Sequence, residues 1–164
     1  MSRTQALVTA DWLEEHIDDP NVAIIEVDED TTLYEKSHIK NAITFHWRND
    51  LQDGLIRDLI SKQKFEALLS KNGIANDTTV VLYGGNNNWF ATYAYWYFKI
   101  YGHGDVRLLD GGRKKWELEG RALTTDIPLV SPTRYVAKER DISIRAFRDE
   151  VISYIGAKNI VDVR

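Results

Sequence analysis

From Val80 to Trp96 the chain reads VVLYGGNNNWFATYAYW. An apolar run meets Gly84 and Gly85, then Asn86, Asn87 and Asn88, and then an aromatic-rich segment. Strand, tight loop and helix is the arrangement by which α/β proteins turn backbone N–H groups toward an anion. Such a cradle serves nucleophilic catalysis or phosphate binding. Yet the loop holds no cysteine, serine, histidine, lysine or arginine. Its glycine pair fits neither G-x-G-x-x-G nor G-K-[ST], so a nucleotide site is a poor reading. An anion could still be held there through N–H groups alone.

The rest of the chain does not supply the missing reagent. With no cysteine among its 164 residues, it has no thiol nucleophile, disulfide framework or thiolate metal site. His16, His38, His46 and His103 lack the spacing of a zinc helix, so no metal is expected. There is no G-x-S-x-G nucleophile motif. Glu29 and Asp30 follow an apolar strand and either face the same cleft or are solvated loop charges. RKKW (113–116) reads as solvated charge on a surface helix. The run WFATYAYWYFKIY has a helical period, and suits a core helix better than a base-stacking platform.

Composition sets the outer bounds. Hydrophobic residues at 43% and charged residues at 28% fit a globular domain of ordinary size. A net charge of −4 argues against a general nucleic-acid binder, although a small anion needs only a local positive field. MSRTQALVTADW lacks the apolar core of a signal peptide, and no apolar run approaches ~18 residues. A cytoplasmic protein without a membrane span is the default expectation.

Several elements must position the loop. Thr9 caps a helix running through His16. VAIIEVD (22–28), Ala42 to Phe45, TVVLY (79–83) and VRLLD (106–110) read as strands, the first and third as buried runs. A helical turn falls near Leu33 to Ser37, and a polar loop runs through RNDLQDG. Ser61 caps KQKFEALLSKN, which Gly73 ends in the left-handed conformation. The aromatic helix covers roughly Asn88 to Tyr101, and Gly111-Gly112 opens a helix ending at Gly120. Strands alternating with helices predict a parallel sheet covered on both faces, with the site at the carboxyl ends of the strands.

Beyond residue 120 the pattern changes. Residues 121–141 have no helical period, contain Pro128 and Pro132, and read as a linker. SIRAFRDEVISYIGAK is then an amphipathic helix with Ile144, Phe147, Val151, Ile152 and Ile155 on one stripe, and NIVDVR is a strand. Residues 8–28 and 144–164 share the order helix, polar break, apolar strand, acid. Either two unrelated segments converge on that pattern, or a second copy of the domain begins after the linker. The apolar stripe predicts that this tail docks on the body or on a second copy of the chain.

EVDEDTTLYEKSHIKNAITFHW, VVLYGGNNNWFA, GHGDVRLLDGGRKKWELEGRAL and NIVDVR, in this order, resemble the two-domain rhodaneses, the thiosulfate and 3-mercaptopyruvate sulfurtransferases. The likeness covers essentially the whole chain and is strongest to the actinobacterial thiosulfate type. It implies a rhodanese-like α/β fold over residues 1–125, with a parallel five-stranded sheet and helices on both faces. It implies a linker at 126–142, and the first helix and strand of a second, catalytic domain at 143–164.

In that family the second domain carries a cysteine loop that holds sulfur as a persulfide. On this chain the cysteine position falls on Gly84, the loop glycine on Asn87 and the arginine on Trp89. The resemblance thus implies a non-catalytic first domain with no cofactor. Its partners are a catalytic domain and, for the parent protein, a small sulfur donor; a dimer through 143–164 is a further expectation. Trp89 and Phe90 would line the pocket between the domains, or simply pack an interface. Asp162 and Arg164 match the start of the second domain, and His38 would hydrogen-bond a turn. An inactive rhodanese-like binding or regulatory module is the other function class that fits.

Overall fold

The computed structural model describes residues 6–56 and 58–162. Its sheet has five parallel strands in the order β1-β5-β4-β2-β3. These are β1 (Leu7–Val8), β2 (Val22–Asp28), β3 (Ala42–His46), β4 (Thr79–Tyr83) and β5 (Val106–Leu109). β4 pairs with β2 and β5, so its carboxyl end, where the glycine loop begins, lies well inside the sheet. β1 is the strand that pattern reading does not find. Two residues are too short to show a period, and its pairing of Leu7 with Leu108 is visible only in space.

Alternation along the strands divides the core in two. Ile25, Val27, Val80 and Leu82 face one way, toward α4 (Lys62–Lys71) and the aromatic helix α5 (Gly85–Ile100). Ile24, Val81 and Tyr83 face the other way, toward Leu13 of α1 (Ala10–Glu15), Tyr34 of α2 (Thr32–Lys36) and Trp116 of α6 (Gly112–Leu118). The expected caps form: Thr9 Oγ1 accepts the Trp12 N–H and Ser61 Oγ accepts the Lys64 N–H. Gly73 is left-handed, with φ 74°.

Three segments differ from their sequence reading. The polar loop after β3 contains a helix, α3 (Trp47–Leu51). His46 caps it, its Nδ1 accepting the Arg48 N–H at 3.2 Å, a capping residue outside the usual set. RKKW is not a solvated turn: Arg113 and Trp116 are buried, drawn under the sheet by an acid described below. NIVDVR forms no strand over 159–162, because a parallel strand needs neighbours to bond and none is at hand. Asp162 is exposed there, and Arg164 lies outside the described residues.

The expected helix of the tail is also shorter. A 3-10 turn at Ile142–Ile144 precedes α7 (Arg148–Tyr154), whose apolar stripe is exposed, Ile152 by 56% and Ile155 by 71%. The linker, by contrast, is a docked strap in its second half. Thr133 N–H donates to Ser70 O at 2.9 Å, Lys138 N–H to Tyr101 O at 3.0 Å and Asp141 N–H to Ile100 O at 2.8 Å. Tyr135 and Ala137 are buried in the α4–α5 core. Irregular backbone of this kind has no period to read.

Candidate functional site

The loop after β4 is closed by its own residues. Gly84 is fully extended, at φ −178° and ψ −179°. Asn86, Asn87 and Asn88 then make a left-handed turn, with φ of 46°, 54° and 66°. Asparagine tolerates that region better than other residues with a Cβ, because its short amide can bond locally. The right-handed part of α5 begins after Asn88, one residue beyond the boundary read from the sequence.

Asn88 is the buried member of the three, and it stitches the loop together. Its Oδ1 accepts the Gly84 N–H at 3.1 Å, and its Nδ2 donates to Leu109 O at 2.8 Å, across to β5. The amide lies flat against Gly112, where a Cβ would come within 2.2 Å of Asn88 Oδ1. The Arg113 N–H donates to Gly84 O at 3.3 Å. Asp28, at the end of β2, accepts the Gly85 N–H on Oδ2 at 2.8 Å. The N–H groups of both glycines are therefore already engaged, one by an amide oxygen and one by a carboxylate. That removes them from service to an outside anion.

Position 84 has no room for a side chain in this conformation. A Cβ built there would sit 2.3 Å from the Val27 carbonyl oxygen and 3.3 Å from Asp28 Oδ2. Burial pushes the Asp28 carboxyl above its ordinary range, against the pull of the Gly85 N–H and the Arg113 guanidinium. A carboxylate thus stands where the cradle would otherwise meet a foreign negative charge.

Beneath the loop lies a buried ionic cluster that pattern reading misses. Arg113 Nη1 bonds both oxygens of Glu26, at 2.9 and 3.0 Å. Its Nη2 donates to Ser37 O at 2.7 Å, and its Nε donates to Glu117 at 2.8 Å. Tyr83 OH accepts the Ile39 N–H at 3.1 Å. Burial raises the Glu26 carboxyl, while Tyr83 and Arg113 act in the opposite direction. This cluster joins β2, β4, α6 and the turn at Ser37–Ile39. An acid inside a buried strand, as in IIEVD, was the available signal for it.

The remaining candidates separate. Trp89 is 64% exposed, whereas Phe90 is half-buried and stacks on Trp47 with ring centroids 5.4 Å apart. Glu29 and Asp30 are exposed, and Asp30 Oδ1 accepts the Thr32 N–H at 2.9 Å as a turn-former. His38 is buried and stacked on Tyr34, with Nδ1 2.8 Å from Tyr34 O and Nε2 3.1 Å from Asp126 O. It ties the turn before β3 to the segment leaving the domain.

A parallel sheet covered on both faces, with a glycine loop at the carboxyl end of an inner strand, defines an open α/β domain whose candidate site lies at the carboxyl ends of its strands. The sequence profile of the rhodanese-like domain matches residues 9–119, and the chain belongs to that family. It is 60% identical over 164 residues to a protein of Saccharopolyspora erythraea named "Putative thiosulfate sulfurtransferase". It is 51% identical over 165 residues to the sulfur carrier protein TtuD of Thermus thermophilus. These alignments take in 100% and 98% of this chain, yet the chain spans 58% of the length of each relative. Among solved structures, SseA from Escherichia coli superposes with a TM-score of 0.79 at 23% identity, over 92% of this chain and 62% of that one. YnjE matches with a TM-score of 0.66 at 28% identity, over 84% of this chain and 34% of that one.

No helix among the described residues is long and apolar enough to cross a membrane.

Proposed function

We propose that this chain is the non-catalytic N-terminal rhodanese domain of a two-domain thiosulfate sulfurtransferase. On this reading the sulfur-bearing cysteine belongs to a second domain beyond the residues present. That thiolate takes the sulfane sulfur of thiosulfate as sulfite leaves. The resulting persulfide passes the sulfur to a thiophilic acceptor and regenerates the thiolate. Such a reagent must be a thiolate, stabilised by N–H groups at a helix start.

The observation that carries the reading is position 84. A strand, a glycine turn and a helix meet there, the cysteine is absent from the whole chain, and the Val27 carbonyl fills the place of a side chain. The names and lengths of the relatives support the same assignment. Trp89 and Phe90 stand at the start of α5, beside the loop, and on this proposal form one wall of the pocket completed by the second domain. Asp162 and Arg164 then open that domain.

The test is thiocyanate formation from thiosulfate and cyanide. The chain alone is expected to give background turnover, and a protein extended by a cysteine-bearing second domain is expected to be active. Turnover by the chain alone at the rate of the extended protein would falsify the proposal.

A further inference from the structure

Beside α5 an open cavity of about 380 Å³ is lined by Trp47, Gln52, Asp58, Leu59, Tyr93 and Trp96, with Arg145 from the tail at its edge. We propose that the Asp58 edge of this pocket is a guanidinium-binding site which Arg145 occupies in cis, and that its occupation latches residues 142–147 to the body of the domain.

Two neighbouring residues are seated by independent contacts. Arg145 Nη1 donates to Asp58 Oδ1 at 2.7 Å. Trp96 Nε1 donates to the carbonyl of Ile144 at 3.0 Å. The guanidinium also lies 4.6 Å from the centroid of the Phe147 ring, so an aromatic face of the tail itself and a carboxylate of the body hold it together. Both side chains of the ion pair are mostly withdrawn from water, with 21% exposure for Arg145 and 28% for Asp58, where a charged hydrogen bond outweighs its solvent-exposed counterpart.

The acceptor is built before the arginine arrives. Asp58 Oδ1 also accepts the Leu59 N–H at 2.7 Å, which fixes the carboxylate. Arg140 Nη1 stands 4.0 Å from the other oxygen, and Arg140 is itself tied to Leu59 O and Ile60 O. The acid therefore keeps a cation nearby when Arg145 is removed, and the fold does not depend on the latch. Planar, forked and weakly hydrated, a guanidinium suits one carboxylate beside the Phe147 ring better than an ammonium does.

The position of the latch gives it a purpose. Before it, the strap is bonded along Thr133 to Asp141. After it, α7 carries exposed Ile152, with exposed Phe147 and Ile155 at its two caps. Arg145 thus sets the direction in which the chain leaves the domain. This inference stands apart from the sulfur-transfer reading and is tested on this chain alone.

Arg145→Ala is expected to raise amide exchange across residues 142–147 about tenfold, with residues 133–138 unchanged. The indole N–H resonance of Trp96, assigned with Trp96→Phe, is expected to move as its bond to Ile144 is lost. Arg145→Lys should recover less than half of the protection. Methylguanidinium at about 10 mM should bind Arg145→Ala saturably at the Trp96 resonance, and should not bind the wild type or Arg145→Ala/Asp58→Asn. Unchanged exchange in Arg145→Ala overturns the proposal, as does loosening of the whole strap or the absence of saturable methylguanidinium binding.

Discussion

At Gly84 a methyl group would have to displace the backbone of the neighbouring strand, because its nearest contact is the Val27 carbonyl oxygen at 2.3 Å. Gly84→Ala is expected to cost about 3 kcal/mol, read as a lower urea midpoint at unchanged slope. Gly104→Ala is the control, since nothing lies within 4 Å of a Cβ there, and it should stay within about 0.5 kcal/mol of wild type. His103 supplies a pH effect. Burial holds its imidazole below the ordinary 6.5, with Thr78 O and Asp105 acting the other way. Nδ1 lies 3.0 Å from Tyr135 OH and Nε2 lies 2.9 Å from Thr78 O, the contacts of a neutral ring. The unfolded chain then binds the proton more readily, so this contribution is present above 6.5 and fades as pH falls. Between about pH 7 and about pH 5 the urea midpoint of the wild type should fall by more than that of His103→Gln. Asp28 and Glu26, whose carboxyls are raised by burial, work in the opposite sense, and the comparison of the two proteins cancels them. Sequence shows the glycine at 84 and the missing cysteine. It does not show that Val27 and Asp28 occupy the space, because that contact joins residues far apart in the chain.

The strap is the element whose worth is easiest to measure. Tyr135 puts a ring into the α4–α5 core, edge-on to Phe65 at 5.9 Å, and its hydroxyl meets His103. Tyr135→Ala should cost about 3 kcal/mol and Tyr135→Phe about 1 kcal/mol, measured by urea unfolding. A larger loss in the phenylalanine variant than in the alanine variant would contradict this packing. β2 and β4 were legible as near-continuous apolar runs rich in β-branched residues, and α4 and α5 by their helical period. β1, α3 and the strap were not, for separate reasons: too few residues, an unusual cap, and hydrogen bonds made without regular backbone. Arg113 shows the converse failure. A basic cluster on a short helix looks solvated until the acid across the sheet is known.

For the molecule as a whole, the sheet and its two cores form one closed unit, and α7 stands outside it. On the proposed reading the stripe of Phe147, Ile152 and Ile155 seats against the rest of a longer protein. Without that cover, the chain is expected to self-associate as its concentration rises. Sedimentation velocity should show a dimer or higher species, and Ile152→Glu/Ile155→Glu should shift it to monomer. A monomer at all concentrations would mean the stripe is too small to matter. The helix–sheet–helix architecture follows from the alternation of apolar strand runs with helical patterns, so the class of fold was readable from the chain. The fate of the tail was not, since an amphipathic face states that it needs cover and leaves open what provides it.

The pairing of Leu7 and Val8 with Leu108 and Leu109 also bears on how the molecule is made. On a ribosome, the first strand emerges long before its partner exists, and the strap that seals the α4–α5 layer comes later still. Local helices can form early, but the edge of the sheet must wait for most of the domain to be translated. Until then the nascent chain carries β1 without its partner, which a folding helper or a neighbouring nascent chain could find first.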